Sequence, residues 1–410
     1  MTAFLRFRHA VACLALPAAA AMAAPPVIEN PAEPPVRETV ELRESWRAGG
    51  ENESDVLLGQ VGVAISGPAG EVYALDTQLS QVLVFDSAGK HLRTLGRQGD
   101  GPGEFRQPVG LFLPGDGSVA VQQAFPGRIT YLDAATGTPR GTWELGKSDP
   151  TAGGLGFVET ARSRNGTFVI SAATAAFDQA GGEIHNLNYL AMLGADGGEI
   201  KRLAQVETTR SLTQFTIDEL ASFFPGDRGL WDVGPDGRVC LATRYDAYSI
   251  AVYGPDGALV REITRAHDAR VRTEEEKEEQ RTGMQVNING QVPRIDWKLE
   301  DRAPCIDRLQ ILDDGSLWVR NSHGADAWES AGRQVFDVYG PDGRLAREVT
   351  VAVPAGGKGN RLILLDDGRF LLIKGMDRLS ISISAGNDEE LAPLDQELGD
   401  TLLELICYES

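Results

Sequence analysis

The chain has 410 residues, of which 59 are acidic and 39 are basic, and its formal net charge is −20. A surface this acidic repels phosphate backbones, so nucleic acid and anionic lipid are excluded as expected partners. Beyond residue 24 the chain has three cysteines, Cys240, Cys305 and Cys407, and an odd count argues against a disulfide framework. Their apolar surroundings favour buried thiols and leave open a single bridge between Cys240 and Cys305.

Residues 1–24 have the composition of an export signal. Arg6 and Arg8 precede an apolar stretch from Ala10 to Ala21, and Ala21-Met-Ala23 is the small-x-small pattern of a cleavage site. Cleavage there would leave 37 basic side chains against 59 acidic ones, a net charge of −22. No later apolar run reaches the roughly 18 residues of a membrane-spanning helix. We therefore expect a periplasmic or secreted protein with no transmembrane segment.

The next two segments precede the repeats that fill the rest of the chain. Residues 25–37 contain five prolines, which predicts a semi-extended leader that does not pack. Residues 38–47 follow, and Glu38–Trp46 has the composition of a strand with no obvious partner nearby.

Six copies of one unit occupy almost everything from Val56 onward: an apolar strand, a glycine turn and a second strand. The turns are Gly67–Gly70, Pro114–Gly117, Ser163–Gly166, Gly234–Gly237, Asp313–Gly315 and Asp366–Gly368. Such units bury their apolar faces only against their neighbours, which predicts a closed ring. The predicted fold is all-β, a six-bladed β-propeller with four-stranded antiparallel blades over residues 38–410. The blades are predicted at about 56–95, 108–146, 155–206, 229–265, 304–351 and 360–410.

The sixth blade lacks a clear fourth strand. It begins with Arg361–Leu365 and Arg369–Ile373, and residues 38–47 are predicted to complete it. An N-terminal strand in this place closes the ring at its seam and removes an exposed edge. Two segments, Leu379–Ser384 and Leu402–Tyr408, remain open as its third strand.

Blade one leads into blade two through Phe85–Gly110, which contains three alternating glycines and a Glu-Phe pair within Gly99–Phe105. This stretch resembles the six-bladed propellers of the NHL and TolB-like type, in which an x-G-x-G-x-G-E-F loop leads into the inner strand of the next blade. Pro304–Arg320 also looks like the fifth blade of that family. The resemblance implies the fold and gives no reaction.

Long connections are predicted on one face of the disc only. The turns between strands one and two and between strands three and four share a face, and all of them are short. The insertions fall on the opposite face: Gly96–Gln107, Ala173–Asn186, Glu207–Arg228, Arg265–Arg302 and Ser322–Gly332. Long loops on a rigid scaffold usually carry function, so we expect binding on this insertion-bearing face.

Two insertions are predicted to contain helices. Phe215–Phe224 begins with a capping-box pattern of Thr216 and Glu219, and Val271–Thr282 is predicted as a helix with a contact from Glu274 to Lys277.

Charged and polar residues at the entrances of the inner strands are the candidate binding residues. They are Arg106, Gln107, Asp227, Arg228, Arg302, Asp307, Arg308 and Arg361, with Trp231 as a candidate stacking surface for a ligand. Placed around a concave mouth, they could hold a polar or anionic ligand by bidentate hydrogen bonds. The alternative is that the arginines pair with neighbouring carboxylates and only hold the blades together.

The sequence contains no catalytic signature, and we predict no cofactor. The function favoured is a binding module for a small-molecule or protein ligand, and a monomer is the expected state. The alternative is a metal-dependent lyase or lactonase that holds zinc or calcium through His185, His267 and His323. Loop-borne ligands lack the rigidity that such a site needs.

Overall fold

The computed structural model describes residues 24–50, 56–145, 154–178, 182–194, 197–211, 214–226, 229–283, 294–353, 356–357, 359–375 and 403–409. Residues 1–23, with most of the predicted export signal, lie outside this part. In the part described, no helix is long and apolar enough to cross a membrane.

The strands are numbered in chain order. Three come first: β1 Val27–Asn30, β2 Arg37–Glu41 and β3 Arg43–Gly49. Blade one contains β4 Val61–Ser66, β5 Val72–Asp76, β6 Gln81–Phe85 and β7 His91–Leu95. Blade two contains β8 Pro108–Phe112, β9 Ser118–Gln123, β10 Arg128–Asp133 and β11 Pro139–Glu144. Blade three contains β12 Gly154–Arg164, β13 Thr167–Asp178, β14 Glu183–Leu193 and β15 Glu199–Ser211.

The second half of the chain is built in the same way. After β16 Gln214–Asp218, blade four contains β17 Trp231–Val233, β18 Val239–Ala242, β19 Ser249–Tyr253 and β20 Leu259–Arg265. Helix α1 Glu274–Gly283 and β21 Arg294–Lys298 precede blade five. Blade five contains β22 Ile306–Ile311, β23 Leu317–Asn321, β24 Arg333–Tyr339 and β25 Leu345–Ala352, with helix α2 Ser322–Ala331 inserted after β23. Blade six contains β26 Arg361–Leu364, β27 Phe370–Lys374 and β28 Glu404–Glu409.

The prediction of an all-β, six-bladed propeller with four-stranded antiparallel blades is confirmed. Apolar clusters lie between neighbouring blades, because each sheet is apolar on both faces and buries them against the next sheet. The loop Gly99–Phe105 fixes one of these junctions: Phe105 is fully buried, and Glu104 Oε2 accepts the Gly101 N–H at 2.9 Å. A Cβ on Gly99 would collide with the Glu104 carboxylate, which explains the glycine.

An N-terminal strand closes the ring as predicted, but it is Arg43–Gly49, whereas residues 38–41 of the predicted segment 38–47 belong to β2 on blade five. Strand β3 pairs antiparallel with β28, with Trp46 opposite Cys407, and it forms the outer strand of blade six. Of the two segments left open for the third strand, the second is therefore the one used, at Glu404–Glu409. The other, Leu379–Ser384, lies outside the described residues. Cys240, Cys305 and Cys407 are buried free thiols, so the bridge left open between the first two is not formed.

The expectation of an unpacked leader over residues 25–37 is wrong. Strand β1 pairs in parallel with β20 as a fifth strand of blade four, and β2 pairs in parallel with β25 on blade five. Asn30 fixes the first of these strands, since its Oδ1 accepts the Leu345 N–H at 2.7 Å. The prolines flank β1 and do not interrupt it, so its backbone can cover an otherwise exposed blade edge.

One predicted helix is wrong and the other is confirmed. Gln214–Asp218 forms β16, which pairs in parallel with β21, and Glu219 binds Arg272 and caps no helix. Helix α1 lies where Val271–Thr282 was predicted, and it begins with a capping box in which the Thr273 N–H donates to Glu276 at 2.6 Å. The predicted contact of Lys277 with Glu274 measures 3.0 Å.

Strand order places the long connections on one side of the disc. Each links strands two and three of a blade, or strand four to the next blade. The connections between strands one and two and between strands three and four are short turns. Blade three extends farthest toward the insertion-bearing side, because its strands have 11 to 13 residues. A buried ion pair of 2.5 Å between Arg272 and Glu219 joins the insertion between blades four and five to the insertion between blades three and four.

Candidate functional site

A cavity of about 430 Å³ lies at the centre of the ring and is lined by the innermost strands of all six blades. We call it the central channel. Ligand pockets commonly have volumes of about 300–1,000 Å³, so it can hold a small molecule. It extends from Gly229, Arg308 and Arg361, at the insertion-side ends of the inner strands, to the turns at Gly67 and Gly115 on the other face.

A second cavity, of about 460 Å³, lies between blades five and six beside β2. It contacts only those two blades and β2. Arg347 in its lining pairs with Glu38 at 3.3 Å. The central channel is the better candidate because every blade contributes to it.

The two sides of the central channel differ in polarity. Blades one, two and six contribute apolar side chains that remain partly exposed, such as Val63, Ile65, Leu113 and Ile363. Blades three to five contribute most of the charged groups. The complete lining includes four arginines and three aspartates: Arg162, Arg164, Arg308, Arg361, Asp232, Asp313 and Asp366.

The aspartates of the channel are engaged by the protein itself. Asp232 Oδ2 accepts the Ile311 N–H at 2.8 Å, and Asp313 pairs with Arg164. Asp366 Oδ1 accepts the side-chain amide of Gln310 at 2.9 Å. Burial, and then the nearby Asp366, raise the pKa of Asp232 to about 6.

Arg308 differs from the other channel arginines. Its side chain is exposed to the channel, yet within the described part of the chain it makes no hydrogen bond or ion pair. Asp307 is nearby but binds Arg320, with 2.6 Å between Nη2 and Oδ2. Burial deep in the ring, followed by the charges of Arg320 and Arg361, lowers the pKa of Arg308 to about 10.

Arg361 has one protein partner, the carbonyl oxygen of Gly62, at 2.9 Å from Nη1. Burial, and then Arg320, lower the pKa of Arg361. This hydrogen bond joins blade six to blade one. Arg361 therefore helps to hold neighbouring blades together, as the alternative for the arginines predicted. Arg162 links blade three to blade four more weakly, because its Nε lies 3.9 Å from Asp232 Oδ1.

The other predicted residues are placed outside the channel or serve the fold. Arg106 pairs with Asp100 at 2.8 Å, and Arg302 pairs with Asp268 at 2.5 Å, both on exposed loops. Trp231 is buried in the wall of the channel, and its Nε1 donates to the Gly226 carbonyl at 2.8 Å. Gln107 is exposed with a φ of 44°. Asp227 and Arg228 lie outside the described residues.

Sequence reasoning missed Arg162, Arg164 and Asp232 as channel residues. Arg162 and Arg164 alternate immediately before the turn at Asn165-Gly166, at the end of an inner strand. That position, compared across the six units, is the signal that would have identified them.

The three histidines of the metal alternative are not brought together as a set. His267 and His323 are neighbours, with ring centroids 5.5 Å apart, and burial followed by His323 lowers the pKa of His267. His185 lies on the long hairpin of blade three and contacts Thr209 at 2.9 Å. Within the ranges that the structure covers, no three His, Cys, Asp or Glu side chains are grouped to hold a metal ion.

Comparisons with known proteins concern the fold. A family model described as a 6-bladed beta-propeller (DUF5128) matches residues 51–147. No curated protein matches the chain.

Three solved structures illustrate the structural similarity. A protein from Bacteroides fragilis described as exported is 12% identical with a TM-score of 0.48, over 94% of this chain and 100% of that chain. A DUF4221 family member from Bacteroides vulgatus is 10% identical with a TM-score of 0.44, over 90% and 98%. The calcium-binding protein regucalcin from Agrobacterium tumefaciens is 14% identical with a TM-score of 0.38, over 93% and 97%. Similarities this low carry no argument about function.

The NHL and TolB-like resemblance stays a prediction, because the matching family is described only by its fold. The family description and the strand order agree that the chain folds as a six-bladed β-propeller.

Proposed function

We propose that this protein is an exported binding module that takes a small molecule in its central channel. The observation that carries the proposal is the cavity of about 430 Å³, to which all six blades contribute both apolar and charged side chains. Pockets of this kind are mostly apolar with a few placed polar groups, which fix the orientation of a ligand. The composition of residues 1–24 supports export.

The channel is supported more directly than the rim of the insertion-bearing face. Arg106 and Arg302, which were expected at that rim, already have carboxylate partners. The lining of the channel includes turn residues such as Gly67, Gly115 and Gly117, so a ligand is expected to approach through the turn-bearing face. Recognition of a protein partner on the insertion-bearing face and a metal-dependent lyase or lactonase reaction both stay predictions.

Binding of the neutral fluorescent dye phenylnaphthylamine tests this function. The dye has an apolar body, and its fluorescence rises when the body leaves water, so the wild-type protein should give a saturable titration. Ile363 is half-buried in the channel wall, and Ile363→Trp should fill the channel and weaken binding at least tenfold.

The matched control is Leu57→Trp, which adds the same indole at a residue that is 71% exposed. It should leave the affinity unchanged. Equal affinities of the wild type and the Ile363→Trp variant, with both folded by circular dichroism, would contradict binding in the channel.

A further inference from the structure

We propose that the ligand of the central channel is an amphipathic oxyanion, with a carboxylate, phosphate or sulfonate head at Arg308 and Arg361 and an apolar body against blades one, two and six. This inference rests on the proposed function and specifies the chemistry of its ligand.

The head group is assigned from the arginine pair. Arg308 has no hydrogen-bonding or ion-pair partner among the described residues, and Arg361 has only the Gly62 carbonyl. A guanidinium presents a planar fork of donors that matches an oxyanion bidentately, so these two side chains have donors to spare. An isolated charge held deep in a protein is unfavourable, and a bound anion would offset that cost.

Other groups around the arginines do not supply the missing anion. Arg320 holds Asp307 at 2.6 Å, Asp313 pairs with Arg164, and Asp232 accepts a backbone N–H. The lining therefore has an excess of one positive charge, within a chain whose net charge is −20. The channel is thus locally positive in a protein that is negative as a whole, so an anionic ligand is favoured in the channel over other parts of the surface.

Space for the head lies beside a glycine. Gly229 has a φ of 68°, and a Cβ placed on it would lie 3.8 Å from the guanidinium carbon of Arg308. The missing side chain leaves room next to the cation, at the insertion-side end of the channel.

The apolar body is assigned from the opposite wall. Val63, Ile65, Leu113 and Ile363 are only partly buried and face the same cavity. Covering them with an apolar ligand removes their surface from water, which is favourable in proportion to the area covered. A small inorganic anion would pair with the arginines but leave these apolar side chains exposed to water.

Two dyes with a common body separate the head from the body. Anilinonaphthalenesulfonate has the aromatic body of phenylnaphthylamine and adds one sulfonate. The wild type should bind the anionic dye at least tenfold more tightly than the neutral one. Arg308→Gln should weaken the anionic dye about tenfold to a hundredfold, since hydrogen bonds to charged groups contribute about 1.5–3 kcal/mol. It should change the neutral dye less than about twofold.

Two further variants keep the test falsifiable. Arg308→Lys retains the charge and should restore part of the preference for the anionic dye. Arg244→Gln removes an exposed arginine that pairs with Asp246 at 3.0 Å on a loop of blade four, and it should change neither affinity. Melting curves by circular dichroism establish that each variant is folded.

Competition tests the two halves of the ligand together. Decanoate should displace the anionic dye from the wild type, and inorganic phosphate at the same concentration should displace much less. Equal displacement by phosphate would reduce the site to one for a simple anion and overturn the proposal.

The possible failures are distinguishable. If both dyes bind equally and Arg308→Gln affects neither, the oxyanion inference is overturned while binding in the channel stands. If neither dye binds, or Ile363→Trp has no effect on either, the proposed function itself fails and the inference fails with it.

Discussion

Trp46 holds the seam of the ring, and its removal should destabilise the whole propeller. It is 6% exposed on β3, the strand that the N-terminus contributes to blade six. Its ring stacks on Phe85 of blade one, with 5.7 Å between centroids and 24° between planes. Truncation of a buried Trp to Ala costs about 3–5 kcal/mol, so Trp46→Ala should lower the free energy of unfolding by that amount. Urea denaturation followed by circular dichroism measures it.

A second substitution tests whether the cost arises at the seam. A Cβ on Gly89 would lie 2.6 Å from the Trp46 ring, and the φ of Gly89 is 79°. Gly89→Ala should therefore cost about 1–2 kcal/mol for its backbone conformation plus the cost of the collision. With Ala at position 46 the collision with the ring disappears and only the contact with the Cβ of residue 46, at 2.7 Å, remains, so the double variant should be less destabilised than the sum of the two.

Two controls set the limits of this prediction. Trp46→Phe keeps a ring on Phe85 and removes an indole N–H that has no partner among the described residues, so it should cost less than Trp46→Ala. Trp297→Ala removes an indole from β21, outside the six blades, and should affect global unfolding less. A loss below about 1 kcal/mol for Trp46→Ala, or an equal loss for Trp297→Ala, would show that Trp46 does not hold the closed ring together.

Two further predictions concern buried charges. The pKa of Asp232 is raised to about 6 in the folded chain. Between about pH 4 and pH 6 the native state therefore keeps a proton that the unfolded state has already lost. The stability that this proton contributes falls as the pH rises through that range. The free energy of unfolding of the wild type relative to Asp232→Asn should therefore drop by about 2 kcal/mol between pH 4 and pH 7 in chemical denaturation, and a constant or rising difference would count against it. Glu219→Gln leaves Arg272 buried without its carboxylate, which should cost about 3–5 kcal/mol locally and speed amide hydrogen exchange in β16 and β21 but not in β5. Unchanged exchange in β16 would contradict this.

The sequence predicted the ring because the ring depends on local features that repeat. Glycines such as Gly237 and Gly315, each with a φ of 79°, mark hairpin turns wherever they occur, and six similar units have few ways to bury their faces. The closing strand was predictable for a related reason, since blade six lacked one strand and Glu38–Trp46 lacked a partner.

The features that the sequence did not predict depend on distant partners. Strand β16 pairs with β21, about 80 residues later, and this pairing overrides a local capping pattern at Thr216 and Glu219. Strand β1 likewise gains its partner only when blade four presents an open edge. Parallel pairing of this kind leaves no hairpin signal in the sequence.

The candidate site was predictable in part. Arg308 and Arg361 were expected from their position at the entrances of inner strands, and both line the channel. Arg302 had the same signal but pairs with Asp268, which approaches from a loop that sequence spacing does not locate. Asp232 was missed because the direction of its side chain depends on how two blades pack.

A crystal structure of the protein with decanoate bound would show where the protein holds an amphipathic oxyanion. The account predicts that the carboxylate lies within hydrogen-bonding distance of the Arg308 guanidinium, with the alkyl chain against Val63, Leu113 and Ile363. Decanoate on the insertion-bearing face, with the channel free of it, would contradict the account.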